Sequence, residues 1–101
     1  MGPMSIAQVT VGMPTYNGAE TIEEALTCVL EGSLQNIRVL VSDNGSTDAT
    51  IGIVENIAAK DKRVRLVRQS ENIGMVPNFL YLVEACETPF FAWRAIFASL
   101  P

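Results

Sequence analysis

The sequence predicts an α/β fold, a three-layer α/β/α arrangement around a mainly parallel four-stranded sheet. Four short apolar runs, at 9–13, 37–41, 64–67 and 90–93, alternate with three stretches of helical periodicity. Strands that alternate with helices specify a parallel sheet with right-handed crossovers. The second run, IRVLV, is almost continuously aliphatic, as expected of a strand covered on both faces.

The first strand is expected over 9–13 and ends at Pro14, which has no N–H to donate to a central ladder. A loop, PTYNGAE, leads to the first helix. Thr21 and Glu24 have capping-box spacing, Ile22, Ala25, Leu26, Val29 and Leu30 form one apolar face, and Gly32 is its stop. Arg38 is the single charge of the second strand and lies at its start. The second helix is expected over 47–60 with Ile51, Val54, Ile57 and Ala58 inward, despite Gly52, which costs about 1 kcal/mol relative to Ala. Lys60, Lys62, Arg63, Arg65 and Arg68 crowd the third strand, a charge density suited to a sheet edge. The third helix begins near Val76 with Pro77 in its first turn and turns Phe79, Leu82, Val83 and Cys86 inward. Phe90-Phe91-Ala92-Trp93 follows as the fourth strand, with Trp93 expected in the core.

Composition narrows the function. The chain has 101 residues, which is at most one domain with a small core. A hydrophobic share of 49% excludes disorder as its main state. A net charge of -4 argues against a general nucleic-acid binder. No apolar run approaches the length of a membrane span, and MGPMSIAQ lacks the features of a signal peptide, so the cytoplasm is the expected location. Histidine is absent, so acid, base or metal chemistry falls to carboxylates. Cys28 and Cys86 are expected as reduced core residues. Residues 1–5 read as a tag or disordered start, 6–93 as one ligand-binding subdomain and 94–101 as an atypical tail.

In a parallel sheet the strand ends lie on one side, where open α/β folds bind ligands. Segments 14–17, 42–46 and 70–74 converge there, bringing the ring of Tyr16, the carboxylate of Asp43 and Gly74, where a backbone can approach a ligand. A stacking ring and an acid that accepts hydrogen bonds suit a nucleoside. Neither GxGxxG nor GxxxxGK[ST] is present, so the glycine-loop solutions for phosphates are missing. Taken alone, VLVSDNGSTDAT is equally compatible with a capped turn in which Asp43 and Ser46 only satisfy backbone donors.

The ordered set VGMPTYNGAETIEEAL, VLVSDNGSTDAT and ENIGMVPNF resembles the nucleotide-binding half of family 2 glycosyltransferases, which have the GT-A fold, over residues 6–93. The resemblance implies sugar transfer, usually with inversion, from a nucleotide-diphosphate sugar, UDP-type by analogy. It also implies that Pro14, Thr15 and Tyr16 line the base pocket and that Asp43 contacts base or ribose. Asn44, Gly45 and Ser46 share that loop and count with it as substrate-binding. Asn17 and Glu20 match positions near the pocket mouth, and Asn72, Gly74 and Asn78 the segment that crosses under the donor.

The tail departs from the family. Where a DxD-type motif would hold Mg²⁺ or Mn²⁺ against the diphosphate, this chain has Arg94, Ala95, Ile96 and Phe97, and no carboxylate after Glu87. The catalytic base and the acceptor-binding half are missing too. The expectation is a donor-binding part, truncated or changed in frame near Ala95 and inactive alone. The alternative class is a stand-alone nucleotide-binding or regulatory module; its receiver form lacks the further acids that would hold Mg²⁺ beside Asp43. A fourth strand with a bare edge, and an apolar tail, predict a homo-oligomer formed through that edge or tail.

Overall fold

A computed structural model of the chain describes residues 7–94. The elements run β1 (Val9–Thr15), α1 (Ile22–Leu30), β2 (Ile37–Asp43), α2 (Thr50–Lys60), β3 (Val64–Arg68), α3 (Met75–Ala85) and β4 (Phe90–Trp93). The sheet order is β3-β2-β1-β4 and every pairing is parallel. Because β1, β2 and β3 step in one direction, right-handed crossovers place α1 and α2 on the same face, where they touch each other. The step from β3 back past β1 to β4 places α3 on the opposite face, over β1 and β2. The α/β/α layering follows from these crossovers.

The core lies between the sheet and the α1–α2 layer. Val11, Met13, Val39 and Val41 meet Ile22 and Leu26 of α1 and Val54 of α2. The α3 face is thinner. Leu82 and Asn78 are its buried helix residues, and Gly12 leaves room for the Phe91 ring, which a Cβ there would meet at 2.7 Å. Phe79 stacks edge-on against Phe91 and Trp93 at 6.3 and 5.0 Å between centroids.

Several expectations change. β1 continues through Pro14 to Thr15. The Gly12 carbonyl accepts from Arg94 N on the β4 side, and alternate residues of a strand point the same way, so the Pro14 nitrogen faces that side too. There β4 has already ended, opposite Gly12, and no ladder bond is lost. The capping box does not form: Thr21 makes no side-chain cap bond, and its hydroxyl instead reaches the Gly18 carbonyl at 3.5 Å. α1 ends at Leu30 with Glu31 as its C-cap, so Gly32 stands just past the helix, as expected. α2 starts at Thr50 rather than 47, because Asp48 turns the chain first.

Cys28 is exposed and Cys86 only half-buried. Cys28 lies off the α1 stripe, whose buried members are Ile22, Ala25 and Leu26. Val83 and Trp93 are likewise exposed rather than core, because no element among the described residues covers that flank of α3 and β4.

Candidate functional site

The pairing of Thr15 with Asp43 and of Asp43 with Arg68 brings the ends of β1, β2 and β3 to one edge. The loops that leave these ends are stitched together by side chains. Asp43, with no accessible surface, accepts at Oδ2 from the backbone N–H groups of Gly45 (3.1 Å) and Ser46 (2.8 Å), and at Oδ1 from the Ser46 hydroxyl (2.6 Å). This is the geometry of a carboxylate-capped turn. The positive φ of Gly45, +82°, completes it, and a Cβ there would lie 2.9 Å from the backbone of Glu71 and Asn72.

Two further clasps extend outward from this turn. The Ser46 hydroxyl accepts from Asn17 N at 2.8 Å, and the Asn17 side-chain oxygen accepts from Thr47 N at 2.8 Å. Asn17 itself has φ of 49°, a left-handed conformation that Asn tolerates better than most residues. Asp48 adds a bond from Ala19 N at 3.2 Å, so the loop after β1 is joined to the loop after β2 at two points. The Thr50 hydroxyl and N–H hold the Asp48 carboxyl below the ordinary carboxylate range.

On the other side, Asn44 is buried and fully engaged. Its amide donates to Asn72 Oδ1 (3.0 Å) and the Gly74 carbonyl (3.2 Å), and its oxygen accepts from Ile73 N (2.8 Å). Asn72 Oδ1 also accepts from Gly74 N, and Gly74 takes φ of +96° ahead of α3. Asn78 turns inward: Ser42 donates to its side-chain oxygen at 2.6 Å, and its amide donates to the Ser42 carbonyl at 3.0 Å. Gln69 completes the cluster by donating to Ser42 Oγ at 3.1 Å.

Of the residues expected at the site, Pro14, Thr15, Tyr16, Asn17, Asp43, Asn44, Gly45, Ser46, Asn72 and Gly74 gather at this edge. Glu20 lies outward on the loop after β1 and is exposed. Asn78 sits one layer below, as a brace under β2. Asn44 and Ser46 prove to be the clasps between loops. The linking roles of Thr47, Asp48 and Gln69 were not anticipated. The only signal for Asp48 was its place two residues before Thr50, which permits a side-chain turn bond.

Two side chains at the edge take no part in these clasps. Tyr16 is 45% exposed. Thr15 Oγ1 is buried with no hydrogen-bond partner, the one such side-chain atom among the described residues. Leaving a buried polar group unpaired costs about 1–3 kcal/mol. Among the described residues no three Asp, Glu, Cys or His side chains come together in a way that could hold a metal ion, and Asp43 and Asp48 are both engaged in turn bonds. These residues alone do not fit a divalent cation. Residues 95–101, where the sequence departs from a metal-binding motif, lie outside the described residues. No helix among the described residues is long and apolar enough to cross a membrane.

A parallel sheet of order 3-2-1-4, with its loops converging at the carboxyl edge, defines a Rossmann-like α/β ligand-binding unit. Comparison with known proteins makes the assignment specific: the model of glycosyl transferase family 2 matches residues 10–94, and the chain belongs to that family. An uncharacterized glycosyltransferase of Haemophilus influenzae is 38% identical over 71 residues, which cover 70% of this chain and 28% of the relative. The solved mannosyltransferase PcManGT of Pyrobaculum calidifontis, in complex with GDP-Man and Mn²⁺, superposes with a TM-score of 0.72 at 31% identity, covering 83% of this chain and 26% of that one. TarS 1-349 of S. aureus in complex with UDP-GlcNAc gives 0.75 at 26% identity, over 87% and 26%. The chain therefore spans little more than a quarter of the length of these relatives. The fold is that of GT-A glycosyltransferases.

Proposed function

We propose that this chain is the donor-binding part of a glycosyltransferase and that its carboxyl edge takes a nucleotide-diphosphate sugar, UDP-type. The observation that carries this reading is the exposed Tyr16 ring at the edge where three clasped loops meet, next in sequence to Thr15, whose buried hydroxyl has no partner. A nucleoside supplies what both lack: a base face for the ring and a polar atom for the hydroxyl. Complexes of solved relatives with GDP-Man and UDP-GlcNAc support the ligand class.

Pro14, Thr15 and Tyr16 form the base pocket in this reading. Asp43 primarily holds the turn beside it. A base N–H or ribose O–H would share or replace the bond from Ser46 to Asp43 Oδ1. Asn17 and Ser46 keep the pocket walls together, while Asn44, Asn72 and Gly74 fix the segment that passes under the donor. Glu20 stands at the mouth, and Asn78 braces the floor through Ser42. Mg²⁺ or Mn²⁺, expected for the intact family, enters no step here. The chain alone binds donor without transferring sugar, because it has no acid after Glu87 to serve as base or metal ligand.

Calorimetric titration of the full chain with UDP and UDP-GlcNAc tests the reading. Binding is expected, and Tyr16→Ala should weaken it about tenfold, the scale of one base-stacking contact. Thr15→Val should leave the unliganded chain at least as stable while weakening UDP. No binding at millimolar UDP overturns the proposal. Product release from either nucleotide sugar overturns the claim of inactivity.

A further inference from the structure

The carboxyl edge holds two Asn-Gly pairs, Asn17-Gly18 and Asn44-Gly45, one in each of its first two loops. Such a pair carries latent chemistry, because glycine has no side chain to keep its backbone nitrogen away from the side-chain carbonyl of the asparagine before it. How readily the nitrogen attacks that carbon depends on what the fold has done with the attacking nitrogen, the carbonyl oxygen and the departing amide nitrogen.

The carbonyl oxygens are treated alike. Each accepts a backbone N–H at 2.8 Å, Asn17 from Thr47 and Asn44 from Ile73. Donors placed there stabilise the charge that develops on the oxygen during attack. The two nitrogens are treated differently. At Asn44 the amide donates to Asn72 Oδ1 and to the Gly74 carbonyl, the residue is buried, and the Gly45 N–H is taken by Asp43 Oδ2. Asn17 is only half-buried, and neither its amide nitrogen nor the Gly18 N–H makes a hydrogen bond among the described residues.

We propose that Asn17 is a modification site at which the folded chain deamidates, and that the clasp around Asn44 protects the second pair. The Gly18 nitrogen gives its proton to solvent base and bonds to Asn17 Cγ; the Cγ–Nδ2 bond breaks and ammonia leaves, so the two residues share a succinimide ring. Water then adds to one of the ring carbonyls and breaks its bond to the ring nitrogen. The product is an aspartate, or an isoaspartate whose main chain runs through Cγ. The isoaspartate lengthens the main chain between two anchored points: the Asn17 N–H is held by Ser46 Oγ, and the Gly18 carbonyl accepts from Thr21 N and Ile22 N at the entry to α1. The joint between the loops and the start of α1 therefore loosen together. Nothing in this step requires a nucleotide.

The test is incubation of the full 101-residue chain in mildly alkaline buffer, with peptide mapping by mass spectrometry that reads positions 17 and 44 separately. Conversion at Asn17 is expected to run about tenfold or more faster than at Asn44 in the folded chain, and at a similar rate in urea, where local protection is gone. Asn72→Ala, which removes one acceptor of the Asn44 amide, should raise the rate at 44 and leave that at 17 unchanged. In the isoaspartate form, hydrogen exchange should quicken at 21, 22 and 47 and stay as it was at 73. Equal rates in the folded chain, or a faster rate at 44, overturn the proposal. So does a rate ratio that urea leaves unchanged, since the difference would then come from flanking sequence and not from the fold. Exchange unchanged at all four positions overturns the loosening.

Discussion

The two faces of the sheet differ sharply in how far they are finished. On the α1–α2 side, Ile22, Leu26, Val39, Val41 and Val54 are fully buried, and the loops above them are locked by side-chain bonds from Asn17, Asn44, Ser46 and Asp48. On the α3 side, Leu82 is the one fully buried apolar helix residue, while Val76, Leu80, Val83 and Trp93 are exposed. The closed side folds against itself and fixes the ligand edge. The open side retains apolar surface that no element among the described residues covers.

The contrast is broken most severely from the closed side. Leu26→Ala removes a buried side chain beneath α1 and should cost about 2–5 kcal/mol in urea unfolding. Leu80→Ala in the isolated chain should stay within about 0.5 kcal/mol, as exposed positions do. Equal losses at the two sites would abolish the distinction.

Gly45→Ala should cost about 1–3 kcal/mol, because it combines a positive φ with backbone only 2.9 Å from the new Cβ. Unfolding that matches the parent chain would show that the 71–72 backbone gives way freely.

Asn44→Ala leaves Ile73 N without its acceptor, a loss of about 1–3 kcal/mol, and should accelerate hydrogen exchange at 72–75 while sparing the β1–β4 pairing. Uniform acceleration across both sides would mean that the clasp is not local.

The smallest effect concerns pH. Asp48 has a lowered carboxyl pKa in the folded chain, chiefly through the Thr50 hydroxyl. Its contribution is therefore complete above the unfolded carboxylate pKa of about 4 and is lost as pH falls through the lower folded value. Arg63 depresses Asp61 in the same direction, through a 2.8 Å ion pair. Asp48→Asn should flatten the acid limb of a thermal melt series below about pH 4. An unchanged limb would assign the acid loss to Asp61 or to other groups.

How much was legible in the sequence varied with the range of the interaction. The seven elements, their parallel arrangement and the convergence at one edge follow from local apolar periodicity and crossover handedness, and all are present. The edge residues were legible as a set because strand ends in a parallel sheet must meet. Their individual tasks were not. Asn78, read as a donor-side residue, braces Ser42 from a neighbouring element 36 residues away, and Asn44 clamps a loop nearly 30 residues distant. Spacing along the chain does not encode such partners.

By itself, the sequence determined the family, the α/β class and the stretch around Asp43, because hydrophobic period, turn chemistry and three ordered motifs are local properties of the chain. Tertiary structure alone decided that Thr15 keeps an unpartnered buried hydroxyl and that Trp93 lies outside the core. Burial and hydrogen-bond saturation depend on what packs across from a residue, and Phe79, which meets Trp93 edge-on, still leaves it 55% exposed.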